Sequence, residues 1–255
     1  MEKIQHVIVT GGAKGVGAAT CRVFLKKGYR VSILDIDSIA GNQLEKELGD
    51  SSQFYLCDVS NQAQVNETVN KTIAKFGDVE VLVNNAGIQL YGSITETSES
   101  DWDRLFNINL KSYFLCSKIC IPSMQKNGKG VIVNVSSVQA YITQKNVAAY
   151  TTAKTAILGF TRSIAVDYSP LIRAVAICPG TIDTPLLRNA LEESPDPAQV
   201  FKECEEMHLL KRVGQPEEVA ELILFVAGDK AGFMTGQAIR LDGGLGIEIP
   251  GSKRG

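Results

Sequence analysis

In the stretch AAYTTAK, residues 148–154, a tyrosine and a lysine stand four positions apart. On a helix this spacing puts Tyr150 and Lys154 on one face, where an ammonium can favour a phenolate. A free phenol titrates near 10, and lowering it by about three units takes about 4 kcal/mol of differential interaction. So tuned, Tyr150 would accept a proton near neutral pH, as oxidation of an alcohol requires. Tyr141 and Lys145 repeat the spacing, so the spacing alone selects neither pair.

A second chemical signal lies near the start, where TGGAKGVG, residues 10–17, follows a short apolar run and precedes a helical pattern. Gly11, Gly15 and Gly17 permit a tight turn, and Lys14 to Gly17 open a helix whose free N–H groups and positive dipole end suit a pyrophosphate. The stretch lacks the G-K-[ST] ending of a nucleoside triphosphate loop. A glycine turn between strand and helix also has a purely structural reading. Asp35 tilts the balance, because a carboxylate at the end of a second strand can accept hydrogen bonds from a ribose 2'-hydroxyl and repels a 2'-phosphate. Lys14 opposes that repulsion or is simply an exposed loop lysine. The expected cofactor is NAD, with NADP the weaker alternative.

These residues need a scaffold, and the periodicity supplies one. Seven apolar runs, at 6–10, 30–35, 54–59, 79–87, 130–137, 173–180 and 238–244, read as buried strands. Between them apolar residues recur at three- and four-residue steps, as in Val65, Val69, Ile73 and Phe76, or Ala153, Ala156, Ile157, Phe160 and Ile164. Alternating strand and helix predicts an α/β chain of one domain, a doubly wound fold of about seven parallel strands with helices on both faces. Residues 185–214 break the rhythm with Pro195, Pro197 and a run of glutamates, and read as a lid over a site.

Composition narrows the function further. With 44% hydrophobic residues the 255-residue chain can fill a large core, and a net charge of −2 offers no basic field for nucleic acid. The six cysteines include no C-x-x-C pair and are joined by only two histidines, so no metal site is expected and reduced thiols are. No secretory leader pattern and no apolar run of about 20 residues occurs. The expectation is a soluble cytoplasmic protein without a membrane partner.

With the glycine turn, NNAG (84–87), Ser137, YTTAK (150–154) and PGTIDT (179–184) in this order, the chain resembles the short-chain dehydrogenase/reductase family over roughly residues 4–245. The resemblance implies a Rossmann fold and an NAD(P)-dependent oxidoreductase acting on CH–OH groups. It also picks Tyr150 over Tyr141, since the family's serine lies thirteen residues before its tyrosine, as Ser137 does here. Tyr141 is then a pocket wall. By the same likeness Tyr150 exchanges the proton, Lys154 lowers its pKa and holds the nicotinamide ribose, and Ser137 hydrogen-bonds the reacting oxygen. Asn109 anchors a water leading protons from Lys154 to solvent. Asp58, with Val59 beside it, resembles the contact to adenine, although a strand-end aspartate can equally cap the following helix. Asn85, Ala86 and Gly87 would line the adenosine end, and Pro179, Gly180, Ile182 and Thr184 the carboxamide end.

Within the family, SSVQA, SIAVDYSP and CPGTIDTPLLR look most like the aldohexose dehydrogenases, which turn a hemiacetal into a lactone. A sugar wants polar partners, and Gln89, Gln139 and Asn146 could supply them or could satisfy loop backbone instead. At Gln89 those enzymes would be expected to carry a carboxylate, which leaves the preferred epimer open. The tail at 245–255 resembles an arm that closes a neighbouring subunit's site, and a homotetramer is expected. A ketoreductase acting on another small carbonyl or acyl substrate, and a non-catalytic NAD-binding regulatory protein, are the alternatives.

Overall fold

The computed structural model describes residues 5–192 and 194–247. Seven strands, β1 (His6–Thr10), β2 (Arg30–Asp35), β3 (Ser52–Leu56), β4 (Val81–Asn84), β5 (Gly130–Val135), β6 (Ile172–Pro179) and β7 (Ala238–Leu241), form one sheet in the order β3-β2-β1-β4-β5-β6-β7. Every pairing is parallel. The order reverses direction between β1 and β4, the switch point where doubly wound sheets open a crevice.

The strands read as unbroken apolar runs because both faces are covered. Val7, Val9, Val31, Ile33, Val81 and Val83 face one core layer, and Ile8, Leu34, Leu82 and Ile132 face the other. The first layer is closed by α1 (Gly15–Lys26), α2 (Ser38–Leu48) and α9 (Pro216–Ala227), the second by α3 (Gln62–Phe76), α5 (Ser112–Asn127) and α6 (Ala148–Tyr168). Helix starts follow local chemistry: Asp37 caps α2, Asn61 caps α3, and Gln215 with Glu218 forms a capping box on α9. Asp58 is therefore not the cap of α3. Its carboxylate accepts from the Ser60 N–H at 2.9 Å and the Ser60 hydroxyl at 2.7 Å.

Several strands stop short of the expected bounds at their C-terminal ends: β3 ends at Leu56 rather than 59, β4 at Asn84 rather than 87, and β7 at Leu241 rather than 244. At each end the chain turns into the loops that border the crevice. Between β4 and α5 lie α4 (Glu99–Phe106) and a π-turn (Asn107–Lys111). The interval read as an irregular lid is a helix pair, α7 (Pro185–Glu192) and α8 (Pro197–Glu206), joined by Arg188 stacked 4.7 Å from the Phe201 ring. The expected tail falls mostly on residues 248–255, outside the described residues. Among the described residues no helix is long and apolar enough to cross a membrane, and no cluster of metal-ligating side chains occurs.

Candidate active site

The glycine turn after β1 is shaped by backbone against backbone. Gly11 adopts φ +60°, and a Cβ on Gly17 would fall 2.0 Å from the Gly11 carbonyl oxygen, so neither position tolerates a side chain. Asn85 braces the turn, its Nδ2 donating to the carbonyls of Thr10 and Gly11 at 3.0 Å each, while the N–H groups of Asn85 and Ala86 donate to Thr10 Oγ1. Lys14 stands at the N-cap of α1 without a side-chain cap, which leaves the first-turn N–H groups of α1 open to an anion. Lys14, Gly15 and Val16 border a cavity of about 650 Å³ that runs across the C-terminal edge of the sheet.

Asp35 ends β2 as expected, and both its oxygens already hold backbone: Ala13 N–H at 2.9 Å and Asp37 N–H at 3.0 Å. It fastens the glycine loop to the second strand. Asp37, which the sequence reading passed over, caps α2 and pairs with Lys14 at 2.5 Å. That partner draws the Lys14 pKa upward and the Asp37 pKa downward. Lys14 is thus the exposed loop lysine of one expectation, with its charge paired to Asp37 rather than left to offset Asp35.

At the other end of the cavity Tyr150 and Lys154 lie in the first two turns of α6, 9% and 4% exposed. Lys154 Nζ sits 5.6 Å from the Tyr150 ring centroid and donates to the Val135 carbonyl at 2.9 Å. The expected pKa shift is corrected here. Burial pushes Tyr150 up to about 12, opposed by a hydrogen bond with Ser137, and burial pushes Lys154 down to about 8. In the chain by itself desolvation is the largest influence on each of the two groups. The proton count reconciles this with base chemistry, because phenol with amine and phenolate with ammonium carry the same number of protons. The first proton to leave is that of Lys154, near 8, and the pair so deprotonated can take one from a substrate.

Ser137 follows β5 and is 8% exposed, its hydroxyl also accepting from the Gln139 N–H at 3.1 Å. Asn109 is fully buried in the π-turn, and its amide is held at both ends by Ile88: the Ile88 N–H donates to Oδ1 and Nδ2 donates to the Ile88 carbonyl, each at 2.8 Å. The side chain braces the loop after β4, with one Nδ2 hydrogen and one Oδ1 lone pair beyond the two bonds to Ile88. Gly87 lies between them, an added Cβ meeting Asn109 Oδ1 and Lys154 Nζ at 3.5 Å each.

Of the other expected residues, Asn85, Gly87, Gln89, Gln139, Pro179, Gly180, Ile182 and Thr184 line the cavity. Gly11, Gly17, Asp35, Asp58, Val59, Ala86, Asn109 and Asn146 are not part of its lining. Asn146 is exposed at φ +61° and its carbonyl accepts from the Gly92 N–H, so it shapes a turn rather than a pocket. Tyr141 is no wall either. It is 49% exposed, with the Arg240 guanidinium 5.8 Å from its ring. The cavity adds residues the sequence reading missed, among them Tyr91, Thr143 and Gln144 from loops and Leu186, Leu187, Leu191, Val200, Cys204 and Met207 from the α7–α8 region. The last three recur at four and three positions, a helical signal obscured by Pro195 and Pro197 just upstream.

Comparison with known proteins agrees with this geometry. Residues 11–246 match the family model described as enoyl-(acyl carrier protein) reductase. An uncharacterized oxidoreductase of Thermotoga maritima is 43% identical over 242 residues, covering 93% of this chain and 96% of its own. The ligand-free aldohexose dehydrogenase of Thermoplasma acidophilum superposes with a TM-score of 0.91 at 40% identity, over 99% of this chain and 98% of its own. The 3-ketoacyl-(acyl-carrier-protein) reductase of Brucella melitensis, complexed with NADH, gives 0.87 at 30% identity, over 94% and 97%.

Proposed function

The chain belongs to the short-chain dehydrogenase/reductase family, oxidoreductases that use NAD(P) on small CH–OH or carbonyl substrates, and from that premise we propose that it oxidises an aldose at the anomeric carbon with NAD. The observation that carries the reading is that the amides and hydroxyl of Gln89, Gln139, Thr143 and Gln144 line the same cavity as Ser137 and Tyr150. A sugar ring needs a partner for each hydroxyl it buries, and amides both donate and accept.

The glycine turn fits a dinucleotide, since Lys14, Gly15 and Val16 border the cavity at the start of α1, where no side chain caps the helix. Asp35 would hold the adenosine ribose, Asp58 and Val59 the adenine, Lys154 the nicotinamide ribose, and Ile182 with Thr184 the carboxamide. A bound nicotinamide would supply the acceptor for the hydride that leaves the anomeric carbon. The chain's own part is the proton: Ser137 orients the anomeric hydroxyl, Tyr150 takes its proton, and Lys154 keeps the pair short of one proton. Loss of one hydride and one proton turns the hemiacetal into a lactone. NAD is favoured over NADP because Asp35 and Asp37 both place carboxylates at the ribose end and Asp37 occupies Lys14.

A second reading, a ketoreductase, draws on Leu186, Leu187, Leu191, Val200 and Met207, which would suit a substrate with an apolar arm. The α7–α8 pair serves as the lid in either case. A homotetramer fits the exposed Val166, Phe225 and Phe233, and a reducing compartment such as the cytoplasm fits six free cysteines, five of them buried. The test mixes the protein with NAD or NADP and a panel of aldoses, secondary alcohols and ketoesters, following reduced-nicotinamide absorbance. Aldose-dependent reduction of NAD supports the proposal. Turnover confined to ketoesters would favour the ketoreductase, and cofactor binding without turnover a regulatory protein.

A further inference from the structure

Tyr113 is the largest of the fully buried side chains among the described residues, and it lies one residue into α5, four positions after Asn109. The intervening π-turn ends at Lys111, and such turns re-aim the residues that flank them. Tyr113 OH donates to the Val135 carbonyl at 2.9 Å, and Lys154 Nζ donates to the same oxygen at 2.9 Å. The ammonium also stands 5.8 Å from the Tyr113 ring centroid, nearly matching its 5.6 Å from the Tyr150 ring. Lys154 is thus held between two aromatic faces and one shared acceptor.

We propose that Tyr113 is a positioning residue for Lys154: its ring supports the ammonium while its hydroxyl, by occupying the same carbonyl, limits how firmly that ammonium is held. A carbonyl oxygen already accepting one hydrogen bond has less density to offer a second donor, and the effect is large where water is excluded. The ring acts in the opposite sense, since an ammonium over an aromatic face is stabilised as a cation. The hydroxyl and the ring can therefore be separated by substitution. The titratable groups whose fields reach this cluster are Tyr113 and Cys116 from α5, Tyr91 from the loop after β4 and Cys178 from β6, besides Tyr150 on α6 itself. This inference rests on the role given to Lys154 above, but its test does not require turnover.

The experiment follows the ε-carbon resonance of Lys154 by NMR against pH in the full-length, cofactor-free protein with labelled lysine, assigned by its loss in Lys154→Met. Tyr113→Phe keeps the ring and frees Val135 for Lys154 alone, so the midpoint should rise by about half a unit or more. Tyr113→Leu also removes the ring, and its midpoint should fall below that of the Phe variant. Once a substrate is in hand, the pH profile of kcat/KM should shift with the Phe midpoint. An unchanged or lowered midpoint in Tyr113→Phe, with its melting temperature near native, would overturn the proposal and reduce Tyr113 to core packing. Failure of the protein to turn over any substrate would count against the proposed function alone.

Discussion

Replacing Lys154 with Met tests whether the buried pair, rather than the phenol alone, is the base. Burial carries Lys154 from 10.5 down to about 8 and Tyr150 from 10.0 up to about 12. On the ammonium this corresponds to about 3 kcal/mol. Where the pair's first proton leaves near 8, kcat/KM for oxidation rises about tenfold for each pH unit below that limb and levels off above it. The positive ring of an oxidised nicotinamide favours loss of that proton, so the limb lies at or below 8 in the working complex. Methionine fills similar space without a titrating group, leaving only Tyr150 to lose a proton. At pH 8 the deprotonated fraction of the base then falls by on the order of 10³-fold or more. The assay is initial-rate NAD reduction between pH 6 and 10 at saturating NAD, with melting temperature as the control for folding. A Lys154→Met enzyme with the native limb at the native pH would refute the reasoning, because the proton would then come from elsewhere.

At the ribose end, Asp37→Asn removes a carboxylate and releases Lys14, so the ratio of NADP to NAD affinity should rise severalfold by calorimetry; an unchanged ratio removes Asp37 from cofactor selection. Asp35→Ala should raise that ratio too, but with weaker binding of both cofactors and a lower melting temperature, since Asp35 also holds the Ala13 N–H. His6, buried on β1 between Gly77 and Ser32, is pushed down to about 4, first by burial. The unfolded chain takes up this proton near 6.5 and the folded chain only near 4, so stability is lost as pH falls through that window, by about 3 kcal/mol in all. Urea unfolding at pH 7 and pH 5 should show this loss, and His6→Gln should flatten it; equal slopes in the two proteins would exclude His6 as its source.

The sheet was legible because each strand is buried on both faces, and the resulting Val, Ile and Leu runs have no competing helical period. Their C-terminal limits were not, since Asp58 and Asn85 sit in apolar surroundings yet belong to the loops that open the crevice. Tyr150 and Lys154 could be found from spacing and family resemblance, as could the glycine turn. The direction of their pKa shifts could not, because it depends on how deeply α6 is buried against α4 and β6, a tertiary fact. Asp37 carries no sequence signal of its own, because Asp35 at the strand end already satisfies the dinucleotide pattern. Tyr91, Thr143 and Gln144 lie in loops, and no periodicity marks them as lining a cavity. Asn146 and Tyr141 erred the other way: a left-handed turn and an arginine contact account for them instead.

The central claim, that Tyr150 accepts the substrate proton beside a bound dinucleotide, is tested most directly by Tyr150→Phe. Turnover and NAD dissociation constant should be measured on the same preparation, with Tyr141→Phe alongside. The account predicts that Tyr150→Phe loses turnover while binding NAD with nearly native affinity, and that Tyr141→Phe keeps both. Retained turnover in Tyr150→Phe, or its loss in Tyr141→Phe, would contradict it.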